Sequence, residues 1–286
     1  MRTISYAALF FLLHSCSSDF DGKNGVKTTH YEGTNKIYQT VEYKGGLKNG
    51  AYKEYQKNGK LKAVYHYVRD TLHDTTLIYH ENGKLAAIQI MKMGEKDGCW
   101  KKYNKEGNLY SEICLKDGRL EGPSTIFTYR SGRILKRVNY KDGDVHGKQE
   151  TFYNTGKPES ISFYHFGNPC LGTQEWDERG KEIRNDFKIQ VEEQNKVLME
   201  SSLRFLIRLD RLQEDDEVYQ MRDTDTGRIV TPLAKIPRIE NYFLLDMHVP
   251  PGGFVMETIK IAAFRKTNKG NTMIKKTSII ASANNY

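Results

Sequence analysis

The side chains best suited to chemistry are few, and they sit at fixed spacings. The chain has four cysteines, at 16, 99, 114 and 170, and eight histidines. One column of polar residues recurs along it: Asn49, His73, Asp97, Glu121 and His146, ending at Leu171. Were these carried on successive hairpins, they would stand ~10 Å apart, because paired strands lie ~4.8 Å apart. That is too far for adjacent members to share one metal ion, so the column reads as turn residues. No H-E-x-x-H or other close ligand pair is present. Nor is there a G-x-S-x-G, a phosphate-cradling glycine loop or a dinucleotide fingerprint. The sequence therefore reads as non-enzymatic, with no cofactor and no metal.

Aromatic rings are the other recurrent chemistry. Tyr31, Tyr55, Tyr79, Tyr103, Phe127, Phe152 and Trp176 form one column, and Tyr43, Tyr67, Met91, Leu115, Tyr140 and Tyr164 form a second. Cross-strand ring packing would hold a sheet together. A single-layer sheet has no second layer to bury both faces, so some rings should stay exposed and mark a partner site. Tyr55, Tyr79, Trp100, Tyr103 and Phe127 are the candidate partner-binding residues. Glycan binding through aromatic platforms is a lesser alternative.

These residues must be positioned by tight turns. Asn58-Gly59-Lys60-Leu61 recurs as Asn82-Gly83-Lys84-Leu85, Glu106-Gly107-Asn108-Leu109, Ser131-Gly132-Arg133-Ile134, Thr155-Gly156-Lys157-Pro158 and Arg179-Gly180-Lys181-Glu182, with a degenerate copy at Thr34-Asn35-Lys36-Ile37. The spacing is 24 residues, and 25 once. Two more turn columns run in phase, Gly46/Asp70/Gly94/Gly118/Gly143/Gly167 and Gly50/Asp74/Gly98/Gly122/Gly147/Gly172. Asn-Gly favours a two-residue type I′ turn, which needs φ > 0 at both central positions. Each repeat thus reads as strand, tight turn, strand, wider glycine turn. About six or seven such hairpins predict an all-β fold, an elongated antiparallel sheet of stacked hairpins spanning 31–186.

The unit Gly50-Ala51-Tyr52-Lys53-Glu54-Tyr55 with Asn58-Gly59-Lys60-Leu61 resembles the MORN repeat in its bacterial variant form. Gly98-Cys99-Trp100-Lys101-Lys102-Tyr103 carries the motif G-x-W-x-x-Y, and Lys116-Asp117-Gly118 with Glu121-Gly122 and Lys141-Asp142-Gly143 with His146-Gly147 match its closing part. Asp70 and Asp74 depart from the pattern. The resemblance extends to the YwqK-type group of antitoxin proteins, which implies binding and neutralising a specific toxin.

If Glu106-Gly107 is a two-residue turn, Tyr103 faces Tyr110, Trp100 faces Ile113 and Cys99 faces Cys114. In a disulfide-permissive compartment that last pair can form a disulfide; the other reading is two small strand residues. Cys170 is then left free.

The N-terminus carries Arg2, an apolar run over 4–13, and Leu13-His14-Ser15-Cys16. The run is shorter than the ~20 residues that span a bilayer and fits a secretory h-region. Its end resembles a lipobox, which implies a signal peptide over 1–15 and lipidation at Cys16, followed by a tether over 16–30. Lipidation implies anchoring in the cell envelope, at the outer membrane, facing the periplasm or the exterior.

Residues 187–286 leave the period. Strand-like segments at 187–191, 203–209, 217–222, 228–232, 242–249, 257–265 and 273–281 suggest a small, Ig-like β-sandwich; 192–201 alternatively forms a short helix. Such a domain would cover one open end of the sheet. The net charge of +8 is spread without a focused basic patch, which argues against nucleic-acid binding. The sequence as a whole reads as a lipid-anchored envelope protein that binds a protein partner through its hairpin sheet, with the antitoxin role as the alternative.

Overall fold

The structure is a computed structural model that describes residues 20–222 and 227–285. Cys16 and the signal segment lie outside the described residues, as do 223–226. Among the described residues the strands form three sheets. One has 16 strands and runs as an antiparallel meander in chain order from Gly25–His30; the other two have four strands each and follow residue 187. The described residues divide into two compact units, those up to 120 with 129–132, and 121–128 with those from 133 on. The expected boundary at 186/187 does not coincide with that division, because the last hairpins and the C-terminal sheets share buried polar contacts described below.

The two turn types are the reverse of those expected. At Asn58-Gly59, Gly59 N–H donates to the Gln56 carbonyl at 2.8 Å and Gln56 N–H to the Lys60 carbonyl at 2.8 Å. Gly59 has φ +84°, whereas Asn58 is not among the residues with positive φ. This is a three-residue loop closed by a bulge. Asn58 Oδ1 accepts the Lys60 N–H at 2.9 Å, a local Asn bond that works without positive φ. The same backbone pair recurs at 80–84, 104–108, 153–157 and 177–181. The two-residue turns lie instead in the other glycine column, where both central residues have positive φ: Gly45/Gly46, Arg69/Asp70, Met93/Gly94, Asp117/Gly118, Asp142/Gly143 and Phe166/Gly167.

The extra loop residue shifts the register. Trp100 pairs with Ile113 and Cys99 with Cys114, as expected, but Tyr103 pairs with Leu109 rather than Tyr110, because the register shifts between Leu109 and Ser111. The third glycine column is also a bulge. Gly50 has φ +116°, and a Cβ there would come within 2.0 Å of Glu42 Oε2, which accepts the Ala51 N–H at 3.0 Å.

The sheet begins earlier than expected. Gly25–His30 is a strand paired with Ile37–Lys44, not a tether. Gly46 N–H donates to the Lys23 carbonyl and Gly45 N–H to Asn24 Oδ1, so residues 21–25 stand in for the turn of a preceding repeat.

In the second unit, strands Ile189–Lys196, Ser202–Leu209, Tyr242–His248 and Arg238–Ile239 form one four-stranded sheet, and Pro232–Ile236, Glu217–Met221, Phe254–Lys266 and Thr272–Asn284 form the other. Alternate residues of both sheets (Leu203, Phe205, Ile207 and Phe243 with Val218, Ile259, Ile261 and Ala281) share one core, which makes the pair a β-sandwich. The suggested helix over 192–201 reduces to Val197–Glu200, since 192–196 lie in a strand paired with Ser202–Leu209. The segment expected at 228–232 pairs from Pro232 onward instead.

Candidate interaction surface

The first unit is built without a large core. Its buried residues are small or polar: Val41, Ala63, Val64, Thr76, Ala87, Asn104 and Cys114. Cohesion comes from bonds between successive repeats. Lys60 Nζ donates to the Asn82 carbonyl at 3.0 Å and Lys84 Nζ to the Glu106 carbonyl at 2.9 Å. Gln56 Nε2 reaches the His80 carbonyl, His80 Nε2 the Tyr103 carbonyl, and the Tyr31 hydroxyl the Tyr55 carbonyl. At the opposite rim, Asp70 N–H donates to the Lys48 carbonyl, Gly94 N–H to the Leu72 carbonyl and Gly118 N–H to the Lys96 carbonyl. Lys60 and Lys84, each directly after its turn glycine, thus staple their turn to the next, 22 residues on. Sequence reasoning used these lysines for alignment and missed their role, although their position was visible.

In the second unit the same devices recur. Arg133 Nη1 donates to the Asn154 carbonyl at 3.1 Å, and Lys157 Nζ to the Arg179 carbonyl at 3.2 Å. The polar column also has a structural task here: Glu121 Oε2 accepts the Asp142 N–H at 2.8 Å and His146 Nδ1 the Phe166 N–H at 3.4 Å. The last hairpin is clamped by the turn between the two long sandwich strands. Glu175, 2% exposed, accepts bonds from Thr267 and Asn271 at 2.6 Å each and from Asn185 at 2.5 Å. Ser162 donates to Asn271 Oδ1, Lys269 reaches the Tyr153 hydroxyl and Glu159, and the Arg228 guanidinium lies 3.7 Å over the Phe163 ring. Cys170 is buried and in no disulfide; its thiol donates to the Asn168 carbonyl at 3.8 Å, and burial pushes its pKa up against the opposing pull of Arg228.

The rings singled out from the sequence are less exposed than expected. Tyr55, Tyr79, Trp100, Tyr103 and Phe127 are all half-buried. Trp100 Nε1 donates to the Ile90 carbonyl at 3.1 Å, and Lys96 Nζ sits 4.5 Å above the ring. In the hairpin sheet the exposed rings among the described residues are Tyr38, Tyr129 and Phe166. They lie where a loop bulge or a turn lifts a side chain off the sheet. Cys99 and Cys114 are joined in a disulfide.

Two features of the first unit form a surface. Tyr52 packs against Tyr65 and Tyr67, with ring centroids 5.4 and 5.9 Å away. Its hydroxyl meets Gln39 and Glu54, and Lys48 lies over Tyr52 and Tyr67. Burial, with Glu54 next, pushes the Tyr52 phenol well above its ordinary range; burial also raises the Tyr65 and Tyr67 phenols. Beside this cluster, Tyr31, Gln56, Lys57, Asn58, Lys62, Tyr79 and Glu81 line an open groove of about 600 Å³. Tyr38, 36% exposed, stacks edge-on against Tyr31 at 5.2 Å. The groove has aromatic walls and a rim of both charge signs. Among the described residues no group of His, Cys, Asp or Glu is placed to hold a metal ion.

The family model of the MORN repeat variant matches residues 48–69, 96–117 and 145–165. Each match covers one hairpin around a three-residue loop and stops at or just before the next two-residue turn. No curated protein matches the chain.

Proposed function

We propose that this chain is a lipid-anchored, non-catalytic protein of the cell envelope that holds a protein partner on its hairpin sheet. The observation that carries this reading is the open groove between Tyr31 and Tyr79, with Lys57, Lys62 and Glu81 at its rim. An enclosed, water-excluding pocket suits catalysis. An open groove with aromatic walls and a mixed-charge rim has the composition of a protein interface. The match of three segments to an interaction repeat agrees with it. Tyr79 keeps its place among the candidate residues because it lines the groove. Trp100 and Tyr103 fit a structural role better, one ring bonded to a strand carbonyl and the other backbone accepting His80.

The partner is first captured from envelope extract with the full chain. Tyr38→Ala combined with Tyr79→Ala should then weaken its binding by ~2–4 kcal/mol if the groove holds a hot spot, while circular dichroism stays that of wild type. A folded double variant with undiminished binding would remove the groove from the account. Anchoring is tested separately by tagged-palmitate labelling: Cys16→Ala should lose both label and membrane association, and equal labelling would defeat the lipoprotein reading.

A further inference from the structure

The sandwich has four strands at sheet edges, and three of them carry features that discourage further pairing. Ile189–Lys196 contains Glu192, Glu193 and Lys196. Pro232–Ile236 opens on a proline. Arg238–Ile239 has two residues. Thr272–Asn284 has no such protection along most of its length. It runs 13 residues and, among the described residues, is bonded on one side, to Phe254–Lys266, with no bulge. Its first part is engaged, since Lys275 pairs with Asp186 at 2.5 Å. From Thr277 to Asn284 the sequence TSIIASAN has no charge, proline or glycine. The face along this edge is apolar and open: Phe254 is 70% exposed, Met256 78% and Ile280 70%. These three share the outward face, because the alternate positions Val255, Ile259, Ile279 and Ala281 point into the core.

We infer that Thr272–Asn284 pairs antiparallel with the same strand of a second copy of this chain, about a two-fold axis at Ile280. In that register Ile280 faces its own counterpart, Ser278 faces Ser282, Ile279 faces Ala281 and Thr277 faces Ala283. Lys276 falls opposite Asn284, so no like charges oppose. Inward and outward sides also agree at every pair, as a sheet continued through the axis requires. Edge pairing of this kind is isologous and closes on itself. The same operation on Ile189–Lys196, with its axis at Glu192 or Glu193, would set that carboxylate against its own counterpart, an unfavourable pair. A second copy is the occupant the edge selects, because the strand is its own complement in length, alternation and lack of charge.

The test uses the full chain with Cys16→Ser, so that no acyl chain contributes, in sedimentation equilibrium over a range of concentrations. A dimer is expected. Ile280→Lys, at a position already open to water, should weaken it by at least about tenfold (~1.4 kcal/mol) without changing the circular dichroism spectrum. Ile280→Cys should form a covalent dimer on mild oxidation, because directly opposed strand residues come within disulfide reach. Ser282→Cys alone should not, since it faces Ser278. A monomer at every concentration overturns the inference. So does a dimer that Ile280→Lys leaves intact, which would place the contact elsewhere, for example along Gly25–His30.

Discussion

The hairpins of the first unit and the sandwich of the second are both antiparallel β-structure, yet different forces hold them. In the sandwich, Phe205 and Phe243 are 1% exposed inside a two-sheet core, and Arg265 meets Asp216 through two bonds of 2.8 and 2.6 Å in the interior. In the hairpins of the first unit, small residues are buried, most rings are half-buried, and Tyr38 and Tyr129 are exposed. There, order comes from turn geometry, from side chains that reach the backbone one repeat on, and from one disulfide. A sheet held in this way can leave aromatic surface open to a partner, whereas a sandwich must spend its large apolar residues on its own core.

The comparison breaks first at single side chains. Phe243→Ala should cost the sandwich ~3–5 kcal/mol, the usual range for emptying a filled aromatic site. Tyr79→Ala in the hairpins should cost well under half of that. Hydrogen exchange resolved by segment checks both; equal losses would mean that the hairpins have a core of their own. Reduction of Cys99–Cys114 comes next. It opens a loop with a sequence separation of 15, for which the chain-entropy estimate is ~3 kcal/mol, and the loss should appear in Gly98–Tyr103 and Leu109–Lys116 while the sandwich keeps its protection. Removal of a staple is smaller. Lys84→Met should cost ~1 kcal/mol, the scale of one net hydrogen bond, and should speed exchange at the turn 104–108 more than at its own.

Alkaline pH sharpens the comparison most gently. Tyr52, Tyr65 and Tyr67 have phenol pKa values raised above the ordinary 10.0, chiefly by burial. The folded sheet therefore keeps these protons to higher pH than the unfolded chain does. The stability tied to them is complete below about pH 10 and falls as pH rises through the folded values. Tyrosinate absorbance should show a late-titrating group of phenols, which Tyr52→Phe reduces. Ordinary titration of every tyrosine would contradict the packing of this cluster.

The hairpins were legible in the sequence because a turn that needs positive φ restricts residue choice locally. Three glycine columns in phase give the period and the strand order; the Cys99–Cys114 pairing rested on a two-residue turn at Glu106-Gly107, and it holds because the register shift between Leu109 and Ser111 offsets the extra loop residue. The turn types were exchanged because Asn-Gly serves both a two-residue turn and a three-residue loop; only the register, with Tyr103 on Leu109, separates them. The first strand was missed because Gly25 begins a half repeat that lies ahead of the first turn of the period. In the sandwich, alternation located the long strands, but the segment 192–196 read as polar enough for a helix, because an edge strand turns charges to solvent. Ring exposure was the least legible. Whether Trp100 or Tyr38 stays open depends on bulges and lysine stems that no column reveals.

The central claim is that the groove of the first unit holds a protein. It is tested most directly by placing a photocrosslinking residue at Lys62, whose side chain is 56% exposed, and at Leu233 on the sandwich, 56% exposed, and irradiating living cells. The account predicts one discrete protein adduct from position 62 and none of that mass from position 233. No adduct at 62, or the same adduct from both positions, would contradict it.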